Sequence, residues 1–172
     1  MKQVLKKFGR FLLWVLPAVL ALYVVVKLAD YCWYRLQIPI GFHDANWSGK
    51  WDTEQYLGTT GRLLVRMPDP LPENTDFKAE ALVYYPIYCP WQTAQFVKMD
   101  FVGHFSPDGA ASAGKSTNRI PGGGGGKLKF KATLGDQAVD YVAIIDESRT
   151  RIAGSYLWKS PYDYGFFWIK YY

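Results

Sequence analysis

Cysteine and histidine are both scarce. Two of each among 172 residues leave no material for a disulfide-rich scaffold or a four-thiolate zinc site. Charge is sparse as well. At 20% Asp, Glu, Lys and Arg against 49% hydrophobic residues, the chain lies far from the composition of a disordered protein. Beyond Pro39 there is no helical period and no excess charge. Residues 40–172 carry fourteen basic and fourteen acidic groups, so the net +5 belongs to residues 1–39. General nucleic-acid binding by the larger part thereby loses its electrostatic footprint.

What the chain does have is rings and one greasy run. Seven Trp, thirteen Tyr and ten Phe favour strands. Phe11 to Val26 is free of charge, and Leu28 and Ala29 extend the run if Lys27 snorkels. Nineteen residues of helix, 11–29, would span about 28 Å, close to the hydrocarbon thickness. Tyr31, Trp33 and Tyr34 follow as an aromatic belt. A cleaved signal peptide competes with this reading, but Lys27-Leu28-Ala29 places Lys where a cleavage site needs a small residue. Lys2, Lys6, Lys7 and Arg10 precede the span, so the positive-inside rule sets a cytoplasmic N-terminus on a single-pass inner-membrane anchor, with the C-terminal domain in the periplasm. That compartment permits a Cys32–Cys89 disulfide. The organisation expected is a basic N-terminus (1–10), a transmembrane helix (11–29), a juxtamembrane linker (30–45) and a β-domain (46–172).

Over 46–172 the hydrophobic period is two, broken at short intervals by turn residues. Leu128, Phe130 and Ala132 oppose Lys127, Lys129 and Lys131, the clearest half-buried pattern. Trp47, Gly49 and Trp51 alternate with Ser48, Lys50 and Asp52. Phe77, Ala79, Ala81 and Val83 alternate with Lys78, Glu80, Leu82 and Tyr84. Val97, Met99, Phe101 and Phe105 oppose Lys98, Asp100 and His104. The second strand is Arg62–Met67. Strands at Ala138–Asp146, Arg151–Lys159 and Gly165–Tyr171 bring the total to eight. An antiparallel up-and-down meander of that size disposes of its edges by closing into an all-β barrel, with a two-sheet sandwich as the competing arrangement. The final stretch, Tyr164 to Tyr172, is apolar on both faces, which suggests a contact with a partner or with the membrane.

Asn46-Trp47-Ser48-Gly49-Lys50-Trp51 resembles the aromatic-x-Gly-x-Trp entry of lipocalins and the Gly-x-Trp first strand of avidin-like barrels. The resemblance implies a calycin-like barrel in which Gly49 lets the strand bend, Trp51 closes one end, and Arg151 packs over that Trp. The Thr-Asp-Tyr motif of the lipocalin centre is absent, and there is no C-terminal helix pattern. Asn46-Trp47-Ser48 also matches the acceptor pattern for N-glycosylation in a secretory pathway.

The interior set Trp51, Phe77, Met99, Phe101, Phe130, Tyr141, Tyr156 and Trp158 either lines a cavity for a small apolar ligand or fills the barrel completely. Gly109 to Ser116 satisfies the phosphate-loop expression GxxxxGK[ST], but the Pro121 and five glycines that follow cannot form the helix that chemistry requires. Lys115, Arg119 and Lys127 remain as an anion-binding alternative, against the plainer reading of a solvated loop and edge lysines. His43 and His104 lack a second ligand at metal spacing, and His43-Asp44 has no Ser in a sharp elbow. The expectation is therefore a non-enzymatic protein without metal or cofactor, binding a small apolar ligand or a protein partner at the membrane and open to self-association. A cyclic-oligonucleotide sensor of antiphage defence and an accessory subunit of a membrane complex are the alternatives.

Overall fold

Absence of glycine and proline from Ala18 to Leu36 lets one helix, α1 (Lys2–Gln37), propagate well past Ala29. It stops where Ile38 precedes Pro39, since the ring of a proline disfavours helical geometry in the residue before it. Residues 30–37, expected as linker, are therefore helical. Leu13–Gln37 is long and apolar enough to cross a membrane. From Leu13 to Leu36 most of its leucines and valines are exposed, unlike those of a helix in a soluble core. The computed structural model describes residues 2–53, 60–88, 95–107, 125–134, 137–159 and 162–172. It divides into two units, 1–39 and 40–172.

The second unit begins with a 3-10 turn, Ile40–Phe42, and continues as eight strands. These are β1 (Trp47–Asp52), β2 (Thr60–Arg66), β3 (Asp76–Tyr84), β4 (Phe96–Ser106), β5 (Gly126–Leu134), β6 (Gln137–Ile145), β7 (Arg151–Lys159) and β8 (Tyr162–Tyr171). Each pairs with its neighbour in sequence, and β1 pairs antiparallel with β8 to close the barrel. The sandwich alternative is excluded. Alternation holds in most strands, with one exception in β3. There Leu82 and Tyr84 face outward yet are buried, and the Tyr84 ring lies 5.0 Å from that of Phe96.

The chain enters the barrel under tight local control. Asn46 donates from Nδ2 to the Met67 carbonyl (2.8 Å) and accepts from the Met67 amide (3.1 Å), so its side chain is already spent and half-buried, a poor acceptor for glycan transfer. Arg66 bonds the Gly41 carbonyl and the Asp44 carboxylate, and reaches Glu80 at 2.9 Å. Glu80 accepts from Lys98 at 2.8 Å. The Arg66 hydrogen bond holds the Asp44 carboxyl below its usual range, and the Lys98 hydrogen bond does the same for Glu80.

The turn between β6 and β7 is built on Asp146. Its Oδ1 accepts from the Thr150 and Arg151 amides at 2.8 and 2.9 Å, and its Oδ2 from the Ser148 hydroxyl at 2.7 Å. Arg149 takes a positive φ of 55° within it. Burial opposes ionisation of Asp146, but the donors from Ser148, Arg151 and Thr150 outweigh it and lower the pKa below 3.8. A depressed carboxylate stabilises the fold above its unfolded value and loses that contribution as pH falls through the folded one. Asp146→Ala should cost about 1 kcal/mol near neutral pH. In urea titrations the difference from the parent protein should shrink as pH drops through and below the ordinary aspartate value.

Candidate functional site

Register places one residue of each strand pair on the same face, and the inward face carries most of the rings. Phe101, Gly103 and Phe105 of β4 oppose Ala132, Phe130 and Leu128 of β5, which oppose Val139, Tyr141 and Ala143 of β6. Large side chains face small ones at Phe101–Ala132, Phe130–Gly103 and Leu128–Ala143, as a narrow barrel requires. Gly103 shows how tight the fit is. A Cβ there would lie 2.5 Å from the Phe77 ring and 3.0 Å from that of Phe130, so the two rings occupy the space a side chain would need.

From that pair a chain of ring contacts runs through the interior. Phe77 and Phe130 meet edge to face with centroids 6.1 Å apart, Phe130 and Phe101 at 6.2 Å, Phe101 and Tyr141 at 5.2 Å. Tyr141 then approaches Tyr156 at 5.9 Å and Phe167 at 6.0 Å. These are the offset and edge-on geometries that ring quadrupoles prefer. The Tyr141 hydroxyl sits 4.0 Å from the Met99 sulfur, and the Tyr156 hydroxyl donates to the Asp52 carbonyl at 3.0 Å.

The two ends of the barrel differ. At the end where β1 begins, Met67, Leu71, Phe105, Leu128, Ile145, Ile152 and Ile169 are sealed from solvent, with Phe105, Leu128 and Ile145 at 0% exposure. Toward the far end Leu63, Tyr85, Val97, Phe101 and Tyr141 are half-buried while packing against the same core, and Tyr156 is half-buried beside Tyr141. Several interior rings are therefore less completely buried toward the far end, although Trp51, Val139 and Phe167 stay buried there. Trp51 stands at this far end, buried, with Nε1–H donating to the Tyr84 carbonyl at 3.2 Å and its ring 4.9 Å from Tyr85.

Seven of the eight interior residues expected from sequence therefore face inward. Phe77, Phe101, Phe130, Tyr141 and Tyr156 form the ring chain, Met99 touches it through Tyr141, and Trp51 stands apart beside Tyr85. The Trp158 side chain lies outside the described residues. Leu63, Tyr85 and Phe167 belong to the same face beyond the expected set, as does Val97 of the β4 row. Tyr85 continues the period of β3 one step past Val83, and Phe167 has the parity of Ile169, so both were accessible to the period-two rule.

Arg151 does not pack over Trp51. It opens β7 at the opposite end, exposed, in register with Lys170. Of the anion-binding set, Lys115 and Arg119 lie outside the described residues, and Lys127 stands on the outer wall of β5. Cys32 is an exposed free thiol, and Cys89 falls outside the described residues. His104 pairs through Nδ1 with Asp76 at 2.8 Å on the outer face. Among the described residues no three His, Cys, Asp or Glu side chains gather as a metal site would need. The class defined is an eight-stranded antiparallel closed barrel behind one long apolar helix. No family model, curated protein or solved structure matches the chain.

Proposed function

We propose that the chain is a membrane-tethered, non-enzymatic binding protein whose barrel admits a small, uncharged, ring-bearing or aliphatic molecule at its far end. The observation that carries this reading is the contrast between a sealed end and a row of half-buried interior rings at the other. Small-molecule sites are concave and mostly apolar with few polar groups, and Phe101, Tyr141, Tyr156 and Tyr85 supply that lining. The Gly-x-Trp entry and the up-and-down order support a calycin-like relationship, in which barrels of this strand number hold one small ligand. The basic residues ahead of α1 support an N-terminus in the cytoplasm and a barrel in the periplasm of an inner membrane.

Native mass spectrometry of the full chain released from lipid nanodiscs tests the proposal. One small-molecule adduct per chain is expected. Val97→Trp, which fills the far end, should abolish the adduct while leaving the circular dichroism spectrum unchanged. A bare mass in every preparation, with no small molecule in an organic extract, would refute ligand binding.

A further inference from the structure

Among the described residues the outer wall of β6, β7 and β8 carries most of the exposed large apolar side chains of the strands, Val102 of β4 being the exception. Val142, Leu157, Tyr164 and Trp168 are 44%, 40%, 38% and 43% exposed, and Phe166 lies between them in register with Ser155, itself in register with Val142. These residues stand on three adjacent strands and form one largely apolar strip around the exposed Ser155. Cations border it on both sides. Lys127, Lys129 and Lys131 of β5 are in register with Ile144, Val142 and Asp140. Across β8, Trp168 is in register with Lys50 of β1, and the Arg151–Lys170 pair of β7 and β8 closes one end of the strip. Asp140, beside Lys131, is the one acid in the strip. The opposite wall presents a different surface, because the ion pairs Arg66–Glu80, Lys98–Glu80 and Lys98–Asp100 intersperse acids among its cations.

We infer that this wall lies against a bilayer surface bearing anionic headgroups. Trp and Tyr favour the headgroup region, where an apolar ring and a polar tip are both satisfied. Lysines at the border of an apolar strip place their stems on hydrocarbon and their ammonium groups among phosphates. Charge complementarity favours this occupant over a second copy of the chain. A two-fold contact presents the same patch from both sides, and it would set the bordering lysine rows against each other. The inference rests on the membrane tether proposed above and not on the ligand. β1 begins ten residues after α1 ends, so the chain between them extends at most about 36 Å.

The test uses the full chain in nanodiscs, with Cys32→Ser and Cys89→Ser, and a spin label at Val142→Cys or, on the opposite wall, at Asp100→Cys. In discs of mixed phosphatidylglycerol and phosphatidylcholine, the Val142 label should become accessible to oxygen and shielded from a water-soluble nickel chelate, while the Asp100 label stays in water. Each lysine near an anionic surface contributes roughly fivefold. Lys127→Gln, Lys129→Gln and Lys131→Gln together should therefore lower the docked-to-free ratio on the order of a hundredfold. Pure phosphatidylcholine should weaken docking in the same direction. Equal water exposure of both labels in a chain that co-elutes with the disc would overturn the docking wall and leave the tether standing. Dipolar broadening at Val142 would overturn it in favour of a second copy. A chain that fails to enter the disc would remove the tether and the inference with it.

Discussion

Gly49→Ala should open the barrel at its seam. An alanine Cβ at this position would lie 1.8 Å from the Trp168 carbonyl oxygen and 2.7 Å from the Ile169 Cα, and no rotamer can relieve a clash with backbone. β1 and β8 must separate or β1 must lose its bend, and the ladder from Trp47–Tyr171 to Trp51–Phe167 is disturbed either way. The expected cost is about 3 kcal/mol, at the upper end of overpacking effects. Urea denaturation checks the magnitude. Hydrogen exchange checks the place, since the amides of β1 and β8 should lose protection before those of β4 and β5. Gly41→Ala is the matched control, because nothing lies within 4 Å of a Cβ there. Equal stability of the parent and Gly49→Ala proteins would refute the close approach of the two strands.

Phe105→Ala should be comparably severe for the opposite reason, since it empties space. Phe105 has no solvent exposure, its carbonyl accepts from the Asn74 amide at 2.8 Å, and its ring lies beneath the Arg149 guanidinium at 5.1 Å. Truncation forfeits the burial of a whole ring and leaves a cavity in the sealed end, a loss of about 3–5 kcal/mol. Phe101→Ala removes the same atoms from a half-buried site and should cost about half as much. Thermal melts of the two variants side by side test whether the ends differ as described. Equal losses would erase the distinction between a sealed end and an accessible one.

The strands were legible because period two is a local property. Leu128, Phe130 and Ala132 alternate with lysines regardless of what they pack against, and strand bounds follow from the turn residues between them. Closure was legible only through the general cost of free edges, since alternation does not say which strand pairs with β1. α1 runs on beyond the expected span because nothing breaks the helix until Pro39, although hydrophobicity fades after Ala29. Arg151 was misassigned, since a sequence shows that a residue opens a strand but not at which rim that opening lies. The accessibility difference between the two ends could not be read at all. It depends on how Phe77, Phe130, Phe101 and Tyr141 tile one against another, which is a property of three dimensions. The apolar character of both faces of β8 was visible, and the structure divides it into a core row of Phe167 and Ile169 and an exposed row of Tyr164 and Trp168.

Trp47 is in register with Tyr171, and the Tyr172 amide donates to the Asn46 carbonyl, so the first and last residues of the barrel are stitched together. Of the eight strands β1 is made first and its partner β8 last. The cylinder therefore stays an unzipped ribbon with a bare edge until β8 has followed the other seven, and loop-closure entropy makes that final pairing the slow one. A truncation that removes only the last strand would strand the chain in that state, with β1 and β7 both offering unpaired amides to any neighbour.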